Sequence, residues 1–222
     1  MFLFPMRVED VLKALSGERF LVEPQRLRKL VEVLLRRQKD LILFSENVQN
    51  EHNFSAIIRT CDAVGVLNIY YTYKGKKSKI YNEHITMGSH KWVFLHRVEN
   101  AVETLKGLKE KGFQIVATRL VGNSVHFREV DYTKPTVVVV GNELEGVSEE
   151  VAAVADYNVV IPMYGMAQSL NVSVATAVIL YEAERQRSLK GLYEKPQLTL
   201  EEIKEILKKW AYEDIIADRK RV

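Results

Sequence analysis

Asn53, Arg59, Glu143, Ser169 and Asn171 are polar residues set in three segments where a plain packed core would not want them: NFSAIIRT at 53 to 60, VVVVGNELEG at 137 to 146 and IPMYGMAQSLNVSVATAV at 161 to 178. Arg59 stands two positions past Ile57 and one past Ile58. A helix that buries those isoleucines carries the guanidinium at its edge, facing either a pocket or, in the plainer reading, solvent. Glu143 lies just beyond a run of valines that reads as a buried strand, a place suited to orienting a loop or a ligand. Taken alone, Ser169 reads as a turn or cap residue.

Several chemistries are excluded by what surrounds these residues. GNELEGVS at 141 to 148 has the Gly-x-x-x-x-Gly spacing of a phosphate loop, but Val147 stands where that loop needs lysine, and Glu143 and Glu145 would repel a polyphosphate. No Gly-x-Gly-x-x-Gly fingerprint occurs, so a Rossmann-type cofactor site is not expected. The five histidines, His52, His84, His90, His96 and His126, show no metal-ligand spacing and Cys61 is the lone cysteine, so no metal is expected. Ser169 lacks the Gly-x-Ser-x-Gly elbow of a serine hydrolase.

The elements that must position these residues alternate along the chain. Apolar runs at 41 to 46, 67 to 73, 92 to 98, 113 to 120, 136 to 140 and 157 to 163 read as strands. Helical stretches are expected at 100 to 111 and 146 to 155, in the segment carrying Phe54, Ile57, Ile58 and Cys61, and at 170 to 187. The pattern predicts an α/β fold with a mainly parallel sheet flanked by helices, and TVVVV at 136 to 140 suits a strand buried on both faces. Ligands of such sheets gather at the carboxyl ends of the strands, where the three segments fall. At the amino end, 24 to 38 predicts an amphipathic helix with Leu27, Leu30, Val31, Leu34 and Leu35 on one face and Arg26, Arg28, Lys29, Arg36 and Arg37 largely elsewhere. At the carboxyl end, Thr199 followed three residues later by Glu202 forms a capping-box pattern opening a helix over 199 to 210. The 222 residues, 47% hydrophobic, suffice for one core with short helical extensions. The expected division is 1 to 40, 41 to 188 and 189 to 222. A net charge of +3 leaves any attraction to nucleic acid to local clusters. The early acidic residues of MFLFPMRVED and the lack of a long apolar run predict a soluble, cytoplasmic protein without a membrane partner.

In order, spacing and flanking strands the three segments resemble the SpoU/TrmH branch of the SPOUT superfamily, over roughly residues 25 to 187. The resemblance implies a deep carboxyl-terminal trefoil knot, S-adenosyl-L-methionine as cofactor and methylation of RNA ribose 2'-hydroxyls. It makes Asn53 and Arg59 the first motif, Gly141, Asn142 and Glu143 the second, and Ser169 and Asn171 the third. By position, Thr118, Gly141, Ile161 and Leu170 would meet the cofactor, mostly through backbone groups. Ser169 and Asn171 would fix the knot loop and orient Asn53 and Arg59. A guanidinium is a poor general base, so Arg59 is expected to grip a neighbouring phosphate and compensate the developing oxyanion.

Relatives acting on ribosomal RNA usually carry a separate RNA-binding domain ahead of the core, whereas only about 50 residues precede Asn53. That favours tRNA, with guanosine at nucleotide 18 of the D-loop the expected target. The alternatives are ribosomal RNA, another tRNA position, or a non-catalytic RNA-binding module of the same fold. Arg26, Arg28, Arg36 and Arg37, with Lys74, Lys76, Lys77 and Lys79, would contact phosphates, and the resemblance implies a homodimer through the knot region.

Overall fold

The structure, a computed structural model, describes residues 6–75 and 80–219. Lys76, Lys77 and Lys79 of the expected phosphate-contacting cluster lie outside them. The chain divides into two compact units. Asp40–Lys190 forms one, and the described residues up to Lys39 together with those from Gly191 form the other.

The larger unit is built on a sheet of β1 (Gln38–Glu46), β2 (Val66–Thr72), β3 (Phe94–Arg97), β4 (Gln114–Thr118), β5 (Val125–His126), β6 (Thr136–Val140) and β7 (Tyr157–Val160), in the order β3-β2-β1-β6-β4-β7-β5. β6 runs parallel to β1 and β4, β7 parallel to β4 and β5, and β3 parallel to β2. The valines of β6 divide between the faces because side chains alternate along a strand. Val138 and Val140 join Leu41 and Leu43 in one core with Phe54, Ile57, Ile58 and Cys61 of α3 (Glu51–Ala63) and Ile179, Leu180 and Ala183 of α7 (Val172–Leu189). Val137 and Val139 join Ile42 and Phe44 in another with Leu105 and Leu108 of α5 (Ala101–Glu110) and Val151 of α6 (Glu149–Val154). A short helix, α4 (Glu83–Thr86), was not evident in the sequence. The buried Arg187 of α7 donates to the carbonyls of Tyr132, Lys134 and Asp40 and to the Asp40 carboxylate, fastening the end of α7 to the chain entering β6.

In the smaller unit α2 (Pro24–Leu35) packs against α1 (Val8–Ala14) and α8 (Leu200–Arg219). Ile203, Leu207 and Trp210 of the expected apolar stripe are buried. Both capping-box bonds are made: Thr199 N donates to Glu202 Oε2 at 2.8 Å and Glu202 N to Thr199 Oγ1 at 3.2 Å. Thr199→Ala is expected to lower the unfolding free energy by about 1 kcal/mol, measured by urea denaturation, with no change in the site described below.

The basic face of α2 needs correction. Arg37 is 1% exposed, with its guanidinium 5.5 Å from the centre of the Trp210 ring, so it is a packing residue rather than a phosphate contact. It lies past the end of α2, between the Arg36 cap and the start of β1, so the helical period that sets the exposed face does not reach it. Arg26, Arg28 and Arg36 are exposed. Arg28 is paired with Glu9 at 2.7 Å and Glu32 at 3.5 Å, so an RNA phosphate would compete with two carboxylates for it.

Candidate active site

Four strand exits of the larger unit, those of β1, β4, β6 and β7, converge on one cavity of about 1030 Å³. The chain leaves β1 through Asn47, whose φ of +53° turns it sharply. Asn50 then caps α3, its Oδ1 accepting from His52 N at 2.8 Å and Asn53 N at 3.3 Å. This cap sets Asn53 in the first turn of α3. The chain leaves β6 through Gly141, where a Cβ would overlap the backbone of Gly146 and Val147. Only glycine permits that approach. An antiparallel bridge closes the loop, with Asn142 N donating to Gly146 O at 3.0 Å and Gly146 N to Asn142 O at 2.9 Å. Asn171 caps α7, accepting from Ser173 N at 2.8 Å and Ser173 Oγ at 2.6 Å.

One chain of hydrogen bonds joins the three segments. The Glu143 carboxylate accepts from Gln49 N at 3.2 Å, Asn50 N at 3.1 Å and Asn53 Nδ2 at 3.1 Å. A carboxylate only accepts, so it turns the Asn53 amide nitrogen toward itself and leaves Asn53 Oδ1 to accept from Asn171 Nδ2 at 3.0 Å. That contact in turn leaves Asn171 Oδ1 to cap α7. Burial pushes the Glu143 pKa up, but the Asn53 amide and the backbone N–H groups around the carboxylate outweigh it and hold the pKa below the ordinary 4.5. Glu143 is therefore an ionised acceptor that orients the site, not a proton carrier at neutral pH. A depressed folded pKa makes this linkage fully present above the ordinary value and lost as pH falls through the folded value. On acidification the Gln49 and Asn50 amide resonances are expected to titrate together with a midpoint below 4.5. In Glu143→Gln that transition is expected to vanish.

Thr118, Gly141, Ile161 and Leu170, the expected cofactor contacts, all line the cavity, as do Asn53, Glu143, Ser169 and Asn171. Thr118 Oγ1 donates to Val139 O at 3.1 Å and so ties β4 to β6. The Ser169 hydroxyl is exposed in the wall and makes no hydrogen bond among the described residues, so the orienting bond expected of the pair comes from Asn171 alone. Arg59 is exposed on α3 and outside the cavity wall. Six residues on from Asn53, it sits on a different face of the helix. Neither Ser169 nor Asn171 orients it within one chain. Gln49, Asn50 and Arg119 also line the cavity and were not singled out in the sequence. Asn50 carried a signal, an asparagine immediately ahead of an apolar helical period.

The donor set fits a cationic cofactor. Apolar walls from Leu120, Val159, Ile161, Val172 and Ile179 suit an adenine ring. The carboxylates of Glu143 and Glu145, which exclude a polyphosphate, suit a ligand bearing a sulfonium and an ammonium group.

An open parallel sheet whose strand-exit loops enclose such a cavity defines an α/β ligand-binding enzyme core. Residues 40–181 match the model of the SpoU rRNA Methylase family. Over 203 residues the chain is 67% identical to the tRNA (guanosine(18)-2'-O)-methyltransferase of Aquifex aeolicus, covering 91% of this chain and 96% of the relative. The crystal structure of the A. aeolicus TrmH/SpoU tRNA modifying enzyme superposes with a TM-score of 0.82 over 86% of this chain and 97% of its own, again at 67% identity. The SpoU methyltransferase AviRb of Streptomyces viridochromogenes, solved in complex with AdoMet, superposes with a TM-score of 0.60 at 29% identity, over 69% of this chain and 60% of its own. The chain belongs to the SpoU methylase family. With membership come the carboxyl-terminal SPOUT knot, an exception to the rarity of knots, and dependence on S-adenosylmethionine.

Proposed function

We propose that this protein methylates the ribose 2'-hydroxyl of guanosine 18 in the D-loop of tRNA. The observation that carries the reading is the Glu143–Asn53–Asn171 hydrogen-bond chain at the cavity, in a chain so similar to relatives named for that reaction. S-adenosylmethionine supplies the electrophilic methyl group. The residues do the rest. Thr118, Gly141, Ile161 and Leu170 hold the cofactor in the cavity, and the ionised Glu143 fixes Asn53 and the α3 entrance. Asn171 fixes Asn53 from the other side, and Ser169 offers a free hydroxyl to the substrate.

Arg59, exposed on α3, grips a substrate phosphate and compensates the charge that develops on the attacking oxygen. The 2'-hydroxyl proton leaves through that phosphate or water. Leu144, Tyr164, Met166 and Tyr181 are strongly exposed apolar residues of the 141–146 loop, the 161–171 loop and α7. Such surface suits a partner face, and a homodimer through the knot region would cover it. Arg26 and Arg36 add phosphate contacts, with Arg28 once released from its carboxylates. The reaction places the protein in the cytoplasm.

Methylation assays with total tRNA, ribosomal RNA and a tRNA whose D-loop guanosine 18 is replaced test the reading. Label is expected in the first alone. Label in ribosomal RNA or undiminished label in the replaced tRNA would favour another target. Failure to bind S-adenosylmethionine in calorimetry would favour a non-catalytic RNA-binding module.

A further inference from the structure

Glu46 ends β1 only 7% exposed, a carboxylate for which the reaction above has no direct use. Both its oxygens are taken by one residue. Oε2 accepts from Ser148 N at 2.8 Å and Oε1 from Ser148 Oγ at 2.6 Å. Ser148 is the N-cap of α6, and its hydroxyl accepts from Val151 N at 3.3 Å. Capping of that kind needs no carboxylate behind it. Burying one is costly unless its charge is fully hydrogen-bonded, so its presence calls for a reason beyond the end of a six-residue helix.

The reason lies in the loop that ends at Ser148. Gly141 to Ser148 is the loop that carries Glu143 into the cavity. Near its start Asn142 Nδ2 donates to Asn47 O at 2.9 Å, and Glu143 accepts from Gln49 and Asn50. Near its end Ser148 is held by Glu46. The two strand exits thus exchange carboxylates. Glu143 crosses from the β6 loop to the β1 exit, and Glu46 crosses back from β1 to the far end of the β6 loop. On the other side the Arg119 guanidinium donates to Val147 O, so the loop is held from both neighbouring strands.

We infer that Glu46 is a positioning residue for S-adenosylmethionine binding: through Ser148 it holds the 141–148 loop at the height where Gly141 and Glu143 meet the cavity. Glu46 is not in the wall of the cofactor cavity and acts through the loop. The inference rests on the proposed function for its ligand, but not for the loop contact itself.

The test uses the full chain with Glu46→Ala and Glu46→Gln, calorimetric titration with S-adenosylmethionine, and amide hydrogen exchange without cofactor. Glu46→Ala is expected to raise the cofactor Kd and KM about tenfold, with kcat at saturating cofactor within about twofold of the parent. Glu46→Gln, which keeps one acceptor oxygen, falls between. Amides of Leu144, Glu145 and Ser148 exchange faster in Glu46→Ala, while those of β4 and β6 keep their protection. A folded Glu46→Ala with parental Kd overturns the inference, and so does a loss of protection spread equally through the sheet. If Glu46→Ala does not fold, Ser148→Ala removes one of the two contacts and is expected to raise Kd in the same direction; a parental Kd there overturns it too. If the parent binds no cofactor, the proposed function fails, and unchanged loop exchange in Glu46→Ala still refutes the role of Glu46.

Discussion

Arg59→Ala is expected to lower kcat for tRNA methylation by about 10² to 10³, the usual cost of removing a group that compensates a developing oxyanion. The Kd for S-adenosylmethionine should stay unchanged. The two effects separate because the guanidinium lies outside the cavity wall on an exposed face of α3, so it can meet the substrate without being part of the cofactor site. Arg59→Lys keeps the charge but loses the planar fork that matches a phosphate, and a partial loss is expected with the pH–rate profile unmoved. Full activity in Arg59→Lys with a profile displaced to the lysine pKa would mean that this position accepts the 2'-hydroxyl proton itself. Single-turnover kinetics beside cofactor calorimetry distinguish the cases.

Gly141→Ala should act on the opposite step. A Cβ at this position would overlap the backbone of Gly146 and Val147, and backbone cannot swing aside as the end of a side chain can. The loop must open, breaking the Asn142–Gly146 bridge that closes it and moving Glu143 away from Gln49, Asn50 and Asn53. Forced overpacking of this kind costs about 1–3 kcal/mol. Expressed in the cofactor site, that is a rise of about 5- to 150-fold in the Kd for S-adenosylmethionine. Calorimetry on the folded variant measures it, and a parental Kd would show that the loop takes the extra methyl group without moving.

How far such a site can be read from sequence depends on whether a residue's neighbours are local. TVVVV is β6 from end to end because five consecutive apolar residues buried on both faces leave little room for another assignment. The α8 capping box is equally local, two residues three apart bonding to each other. The α/β alternation followed from such runs, and most strand and helix limits moved by only a few residues. The short α4 and the two-residue β5 carry too few positions for a period to show. Arg37 was misread because the helix expected over 24 to 38 stops at Leu35, which frees Arg37 from the basic face, and its partner Trp210 lies far along the chain.

At the site, the residue types and their cavity were readable, but the bonding between them was not. Nothing in the spacing of Asn53, Glu143 and Asn171 says that an asparagine amide lies between a carboxylate and a helix cap. Glu46 looked like the polar end of a strand, since its partner Ser148 comes from a loop far along the chain. Ser169 and Arg59 took their expected roles from resemblance. The structure gives the first a hydroxyl with no hydrogen bond among the described residues and the second an exposed position on α3.

In the proposed reaction this cavity sets a methyl donor against a ribose oxygen at one nucleotide of tRNA. The most direct measurement is incubation of unmodified tRNA with the protein and methyl-labelled S-adenosylmethionine, followed by alkaline hydrolysis and mapping of the label. Label is expected in a single alkali-resistant dinucleotide that begins at guanosine 18. Label on a base, or on a ribose elsewhere in the molecule, would contradict it.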